Sequence, residues 1–370
     1  MGAAESLTNI ADSILGAPSD LKQLEDISQV SSHVIRVLGQ NPGQATLQGT
    51  NTYIVGKGKR RALIDTSDGN SRWWPIMQKA LEENDIELET VVLTHRHSDH
   101  IGGVDAVRKA FPNACIWKAC EERTVAVADS IPSPPPFSDH TQLGLETGDL
   151  EGVEPVRSEL GKRGARFCTK EVGGSKSCTN DCGCQDGVVS NTWRALKHGQ
   201  LIALECGSTL RIVSTPGHTE DSISVVLSPS DGEGTAIFTG DTVLGGRTAR
   251  FDELRQYEAS LSQLRSEVVS APRGCAMLFP GHGAYISTGK SLAYLDSLLG
   301  AQRKRQRAIL TALRENPGSS ADDICGLLYD SMAARHMALK IVEQHLNALE
   351  ADNRARQYST FFGTVVWELI

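Results

Sequence analysis

The sequence predicts an α/β chain: an αββα sandwich, two sheets packed face to face with helices outside, followed by a smaller C-terminal unit of helices and a hairpin. Three observations carry this. Short apolar, β-branched runs alternate with segments of helical period. Four of the strand-like runs end in a His or Asp, three of them beside glycine. Past residue 289 the pattern becomes helical and then ends in two β-rich runs around Gly363.

In chain order, residues 1–30 are polar and read as a lead-in, a short helix or a loose segment. Residues 33–38 (His-Val-Ile-Arg-Val-Leu) form the first strand. Residues 51–56 and 61–65 are two strands of a hairpin turned at Gly56-Lys-Gly58. An amphipathic helix covers 72–83, and a buried strand covers 90–94. The next stretch is Thr94-His-Arg-His-Ser-Asp-His-Ile-Gly-Gly103, and a helix follows over 104–110. Residues from about 125 to 200 form an insertion that opens on Ile131-Pro-Ser-Pro-Pro-Pro-Phe137 and turns rich in Gly, Ser and Cys. Within it, Cys168, Cys178, Cys182 and Cys184 fall in 17 residues. Four thiolates suit a structural zinc knot, but the spacing departs from paired Cys-x-x-Cys, and a flexible insertion with free thiols is the competing reading.

The chemistry sits at the strand ends. His95, His97, Asp99 and His100 place four metal-competent side chains within six positions, on a tight strand-to-helix turn. Neutral imidazoles and a carboxylate suit zinc, and a sharp turn aims neighbouring side chains in different directions. Three later strands each end in one more ligand type: Thr-Pro-Gly-His218, Thr-Gly-Asp241 and Phe-Pro-Gly-His282. Each alone is a common turn. The ordered set of four is specific, because α/β folds build sites at strand ends. The chain has no Gly-x-Ser-x-Gly elbow, so a serine nucleophile is not indicated.

These motifs, spanning residues 50–285, resemble metallo-β-lactamase-fold hydrolases. The resemblance implies His95, His97 and His218 on a first zinc, Asp99, His100 and His282 on a second, and Asp241 bridging both. An aspartate at that bridge points away from lactamases and toward the thioesterase and nuclease branches. Two zincs about 3.5–4 Å apart would hold a nucleophilic hydroxide at neutral pH, with Asp99 also placed to orient its proton. Asp65, in Asp-Thr-Ser, matches the family's early acidic motif and reads as a residue that orients the metal-site loops; a turn or cap role is the alternative.

Residues 289–370 read as a helical linker and a winged-helix domain. A long helical stretch covers 290–314, a break falls at Asn316-Pro-Gly, and helices start at Ser320 and near Met337. Two strands turned at Gly363 close the chain. In the catalytic domain at 31–288, Gly49-Thr-Asn-Thr-Tyr53, Gly240-Asp-Thr-Val-Leu-Gly245 and Pro280-Gly-His-Gly283, taken with the Arg303-Lys-Arg-Gln-Arg307 helix and this tail, resemble the β-lactamase-like protein 2 family, related to glyoxalase II. That resemblance implies an endoribonuclease acting on single-stranded RNA. The alternative is a thioester hydrolase, glyoxalase II-like or acting on acyl carriers, with a small thioester as substrate. A non-catalytic binding module is a third reading, opposed by the complete ligand set.

Charge and composition bear on partners. The chain's formal net charge is −8, and residues 300–370 hold nine Lys and Arg against eight Asp and Glu, so no broad polyanion-binding surface is evident. The tail is therefore equally compatible with packing or a homodimer contact. No apolar run approaches a membrane span, and the N-terminus has neither a signal-peptide core nor a transit peptide's arginines. It fits the loose Met-Gly-x-x-x-Ser myristoylation pattern. Nine cysteines without a secretory signal suggest reduced thiols and a cytoplasmic protein; the family resemblance alone leaves a mitochondrial address open.

Overall fold

A computed structural model describes residues 23–119, 193–272 and 275–370. The four insertion cysteines, Gly2 and most of the insertion lie outside the described residues.

The first sheet runs in chain order. It comprises β1 (Ile27–Ser31), β2 (Val34–Leu38), β3 (Asn51–Val55), β4 (Arg60–Ile64), β5 (Glu87–Leu93), β6 (Cys115–Ala119) and β7 (Arg194–Leu196). Pairings from β1 to β4 are antiparallel, and those from β4 to β7 are parallel. The switch follows from connection length. The β3–β4 turn is short, and Gly56 and Gly58 there take positive φ of 115° and 76°. The β4–β5 connection instead carries a helix, α1 (Trp73–Glu83), as parallel neighbours require. Residues 27–31 correct the reading of 1–30 as a lead-in. Their alternating Ile-Ser-Gln-Val-Ser pattern adds an antiparallel edge strand to β2.

The second sheet has the order β12-β11-β10-β9-β8, formed by β8 (Leu201–Ala203), β9 (Thr209–Ser214), β10 (Ile223–Ser228), β11 (Thr235–Gly240) and β12 (Ala276–Pro280). Only β11 and β12 pair in parallel, across the long helix α4 (Leu254–Ser270).

Alternate residues of each strand face opposite layers. One face of the first sheet (Val34, Tyr53, Val55, Ile64, Val92) packs on one face of the second (Leu210, Ile212, Val225, Phe238, Phe279) in a single buried cluster. The other face of the first sheet (Ile35, Val37, Ile54, Leu63) packs on Trp73, Met77 and Leu81 of α1 and on Val104 and Val107 of α3 (Val104–Ala110). The other face of the second sheet packs on Leu261, Leu264 and Val268 of α4 and on Leu295 and Leu298 of α5 (Ser291–Glu315). This is the αββα sandwich.

The C-terminal residues form α5, α6 (Ala321–Leu328), α7 (Met332–Ala351) and the hairpin β13 (Ala355–Ser359) with β14 (Val365–Leu369). The long helical stretch expected over 290–314 is α5, one uninterrupted helix of 25 residues. Ser320 caps α6 in a reciprocal capping box with Asp323, which fixes its start. The far half of α5 joins α6, α7 and the hairpin in a separate cluster centred on Ile309, Leu313, Ile324, Val342 and Trp367. Ile341 and Ala348 of α7 belong instead to the cluster beneath the second sheet, so α7 packs on both.

Candidate metal centre

The site lies where β5, β9, β11 and β12 end. Thr94 follows β5, and the next residues enter the one-turn helix α2 (Ser98–Ile101), which splits four ligand-type side chains between two directions. His95 and His97 point one way. The His95 Nε2 and His218 Nε2 atoms lie 3.0 Å and 3.1 Å from His97 Nδ1. Asp99 and His100 point the other way, toward His282. His282 Nε2 is 3.2 Å from Asp99 Oδ2, and His100 Nε2 is 3.4 Å from the same oxygen. Asp241 sits between the two groups: its Oδ1 is 3.4 Å from His100 Nε2, and its Oδ2 is 3.2 Å from His282 Nε2 and 3.7 Å from His218 Nε2. All seven sequence-identified residues therefore converge. They fall into overlapping trios with ligand atoms within 4.8 Å of one another: His95, His97, His218; His95, His100, Asp241; and Asp99, His100, His282.

Glycine makes the approach of the loops possible. A Cβ on Gly281 would lie 2.2 Å from Asp241 Oδ1, and one on Gly217, at φ 124°, would lie 2.4 Å from the Tyr257 backbone nitrogen. These are the glycines of the two Pro-Gly-His motifs.

The far ring nitrogens of four of the five histidines are held, which fixes the nitrogen each of these presents. His100 Nδ1 is 2.7 Å from Asp65 Oδ2, and His218 Nδ1 donates to the Arg250 carbonyl at 2.7 Å. His95 Nδ1 is 3.0 Å from Thr94 Oγ1, and His282 Nδ1 is 3.4 Å from the Gly49 carbonyl. The buried Asp65 also accepts from the Thr94 backbone N–H and hydroxyl, each at 2.8 Å. The carbonyls of Gly49 and Arg250 carried no side-chain signal in the sequence, and Thr50, whose hydroxyl donates to Asp99 Oδ2 at 3.3 Å, was not read as a site residue.

The donor set fits divalent metal. His100 Nε2 and Asp241 Oδ1 are buried with no hydrogen-bond partner, and both face the shared centre. Burial holds the His95 and His97 imidazoles below their usual range, which favours the neutral form that metal binding requires. Burial works against charge on His282 too, yet Asp241 and Asp99 push it up to about 9. The same oxygens that would hold a proton there would hold a dication, and metal binding would displace that proton.

The centre opens into a cavity of about 250 Å³. His97, Asp99, His218, Asp241 and His282 form its floor, and Leu244, Arg247, Phe251 and Ile341 form part of its walls.

Residues 45–160 match the family model of the metallo-beta-lactamase superfamily. An atrochrysone carboxyl ACP thioesterase of Aspergillus novofumigatus is 32% identical over 295 residues, 80% of this chain and 67% of the relative. The chain belongs to the metallo-beta-lactamase superfamily. A second such thioesterase, from Aspergillus aculeatus, is 30% identical over 356 residues, 93% of this chain and 89% of its own length. A beta-lactamase domain protein from Burkholderia ambifaria shares the fold, with TM-score 0.65 at 15% identity over 95% of this chain and 96% of that one. These relatives correct the sequence-based expectation of an endoribonuclease of the β-lactamase-like protein 2 family. The ligand motifs could not have separated the two, since the same metal pair activates water against phosphorus or a thioester carbon.

His33 and His198 lie elsewhere. His33 sits between Asp231 and Glu233, a fourth trio away from this centre, and His198 accepts from the Ser214 backbone N–H at 3.1 Å.

Proposed function

We propose that this chain is a dinuclear zinc thioesterase that hydrolyses acyl thioesters carried on an acyl carrier protein. The observation that carries the reading is the pairing of a complete seven-residue metal-ligand set with 30% identity, over 93% of the chain, to a protein named an ACP thioesterase.

His95, His97 and His218 would hold one zinc, Asp99, His100 and His282 the other, with Asp241 shared. Bound zinc supplies a water that is nucleophilic at neutral pH and a Lewis acid for the carbonyl. The chain's own residues do the rest. Asp65, Thr94 and the Arg250 carbonyl hold the imidazoles in the required tautomers. Asp99, steadied by Thr50, accepts the water's proton as its oxygen bonds to the acyl carbon and the carbon–sulfur bond breaks. The products are the free acid and the carrier thiol.

The leaving group supports this reading over phosphodiester cleavage. Among the described residues, every histidine lining the cavity is a candidate ligand: His97, His218 and His282. None is left to protonate a departing alkoxide. A thiol has a pKa of about 8.5, so it departs as thiolate and needs no dedicated acid. Among the described residues, no helix is long and apolar enough to cross a membrane.

The test is hydrolysis of acyl-ACP, acyl-pantetheine and single-stranded RNA by zinc-loaded protein. Release of carrier thiol with intact RNA is expected. RNA cleavage without thioester turnover would overturn the reading.

A further inference from the structure

One cavity wall carries a cation that the hydrolytic machinery does not use. Arg247 lies on the loop after β11, three residues beyond Leu244, and lines the same cavity as Asp241 and His282. The loop is set rigidly. The Gly245 backbone N–H donates to the His282 carbonyl at 2.8 Å, and a Cβ on Gly245 would lie 2.0 Å from the Ala284 carbonyl oxygen. The guanidinium is set too. Its Nη2 donates to the Gln44 carbonyl and, at 3.1 Å, to the Ala45 carbonyl. Two carbonyls orient the group but do not neutralise it. Among the described residues, Arg247 forms no ion pair, and its Nε and Nη1 donate to no protein acceptor.

The other charges on this wall are arranged differently. Lys340 of α7 is paired with Asp252, and Arg250 is exposed. Arg247 is thus the anchored, half-buried cation of the cavity, in a chain whose net charge is −8. Leu244, Phe251 and Ile341 line the same space. A wall that combines an uncommitted guanidinium edge with apolar side chains matches a carbon chain bearing carbonyl, enolate or carboxylate oxygens.

We propose that Arg247 is a specificity-determining residue that receives an oxygen substituent of the acyl chain, so that the enzyme selects oxygenated acyl thioesters, of the β-keto class, over plain alkyl ones. The inference rests on the thioesterase reading for its substrate, and its test is chosen to read Arg247 separately. A phosphate on the carrier arm offers similar chemistry, and small probes distinguish it.

The experiment compares the N-acetylcysteamine thioesters of acetoacetate and butyrate, matched in chain length and free of phosphate, with their non-hydrolysable amide analogues measured by calorimetry. In the wild type, the acetoacetyl amide is expected to bind about tenfold more tightly than the butyryl amide, as a charge-assisted hydrogen bond allows, and kcat/KM to favour the same partner. In Arg247→Met the binding ratio falls to near one. In Arg247→Lys, which keeps the charge and loses the fork, it is intermediate. Zinc content and melting temperature of both variants establish that the site is assembled. A ratio near one in the wild type, or a ratio unchanged in Arg247→Met, would overturn the proposal. So would tightening by 4′-phosphopantetheine over pantetheine that disappears in Arg247→Met. Absence of thioester turnover would sink the thioesterase reading, and the amide-binding ratio would still decide the role of Arg247.

Discussion

Asp65 Oδ2 stands 2.7 Å from His100 Nδ1, and this contact ties the end of β4 to the second half of the metal cluster. Asp65 holds a positive φ of 59°, and its other contacts go to Thr94, directly before His95. One buried carboxylate thereby positions both halves of the His95–His100 turn and directs His100 Nε2 toward Asp241. Asp65→Asn keeps a residue that tolerates this backbone but removes the charge facing His100. Zinc affinity, followed by competition with a chelator, is expected to drop about 10–100-fold. An unchanged affinity would mean that Asp65 acts only as a turn residue.

The division into two ligand groups predicts separable losses. His218→Ala removes a ligand from the His95 group, and His282→Ala removes one from the Asp99 group. Each purified variant should stay folded by circular dichroism, carry less zinc than the wild type, and lose thioester turnover. Full zinc content in either would show that the residue is not a ligand.

Beside the site, Asp221 is fully buried and rests on Lys118 Nζ at 2.5 Å and Thr219 Oγ1 at 2.8 Å. Lys118→Met strips the nearest countercharge and leaves Arg96 at 3.6 Å. The expected cost is about 3 kcal/mol, read as a lower urea midpoint. A midpoint equal to the wild type's would show that Lys118 adds nothing to stability.

Glu258 on α4 gives a pH-dependent contribution. Burial pushes its carboxyl up to about 7, against the opposing pull of Arg303 and with the help of Glu253. A folded pKa above the usual carboxylate value means that stability is full below about 4.5 and is lost as pH rises through about 7. Glu258→Gln should therefore melt above the wild type at pH 8 and close to it at pH 5. The same difference at both pH values would contradict this.

The sequence showed the centre's candidate ligands more clearly than their supports. Each of His95, His97, Asp99, His100, His218, Asp241 and His282 sits in a short motif at a strand end, where side-chain type and turn chemistry are both readable. The carbonyls of Gly49 and Arg250 act through the backbone, which any residue provides. Arg247 gave no local signal either, because its anchors at Gln44 and Ala45 are some 200 positions away. Most strands were legible from their apolar runs. β1 was missed because Ile27–Ser31 is a half-exposed edge strand with only two apolar residues. Element order at the C-terminus suggested a nucleic-acid module, yet order alone carries no substrate chemistry. Lys340 of α7 is paired with Asp252 at the cavity wall.

The most direct test of the central claim is acyl-ACP hydrolysis by the zinc-loaded protein, run beside Asp241→Ala and a chelator-treated sample. The account predicts release of free acid and carrier thiol by the wild type, with none from the folded variant or the metal-free protein until zinc is restored. Hydrolysis that persists in Asp241→Ala or without metal would contradict it.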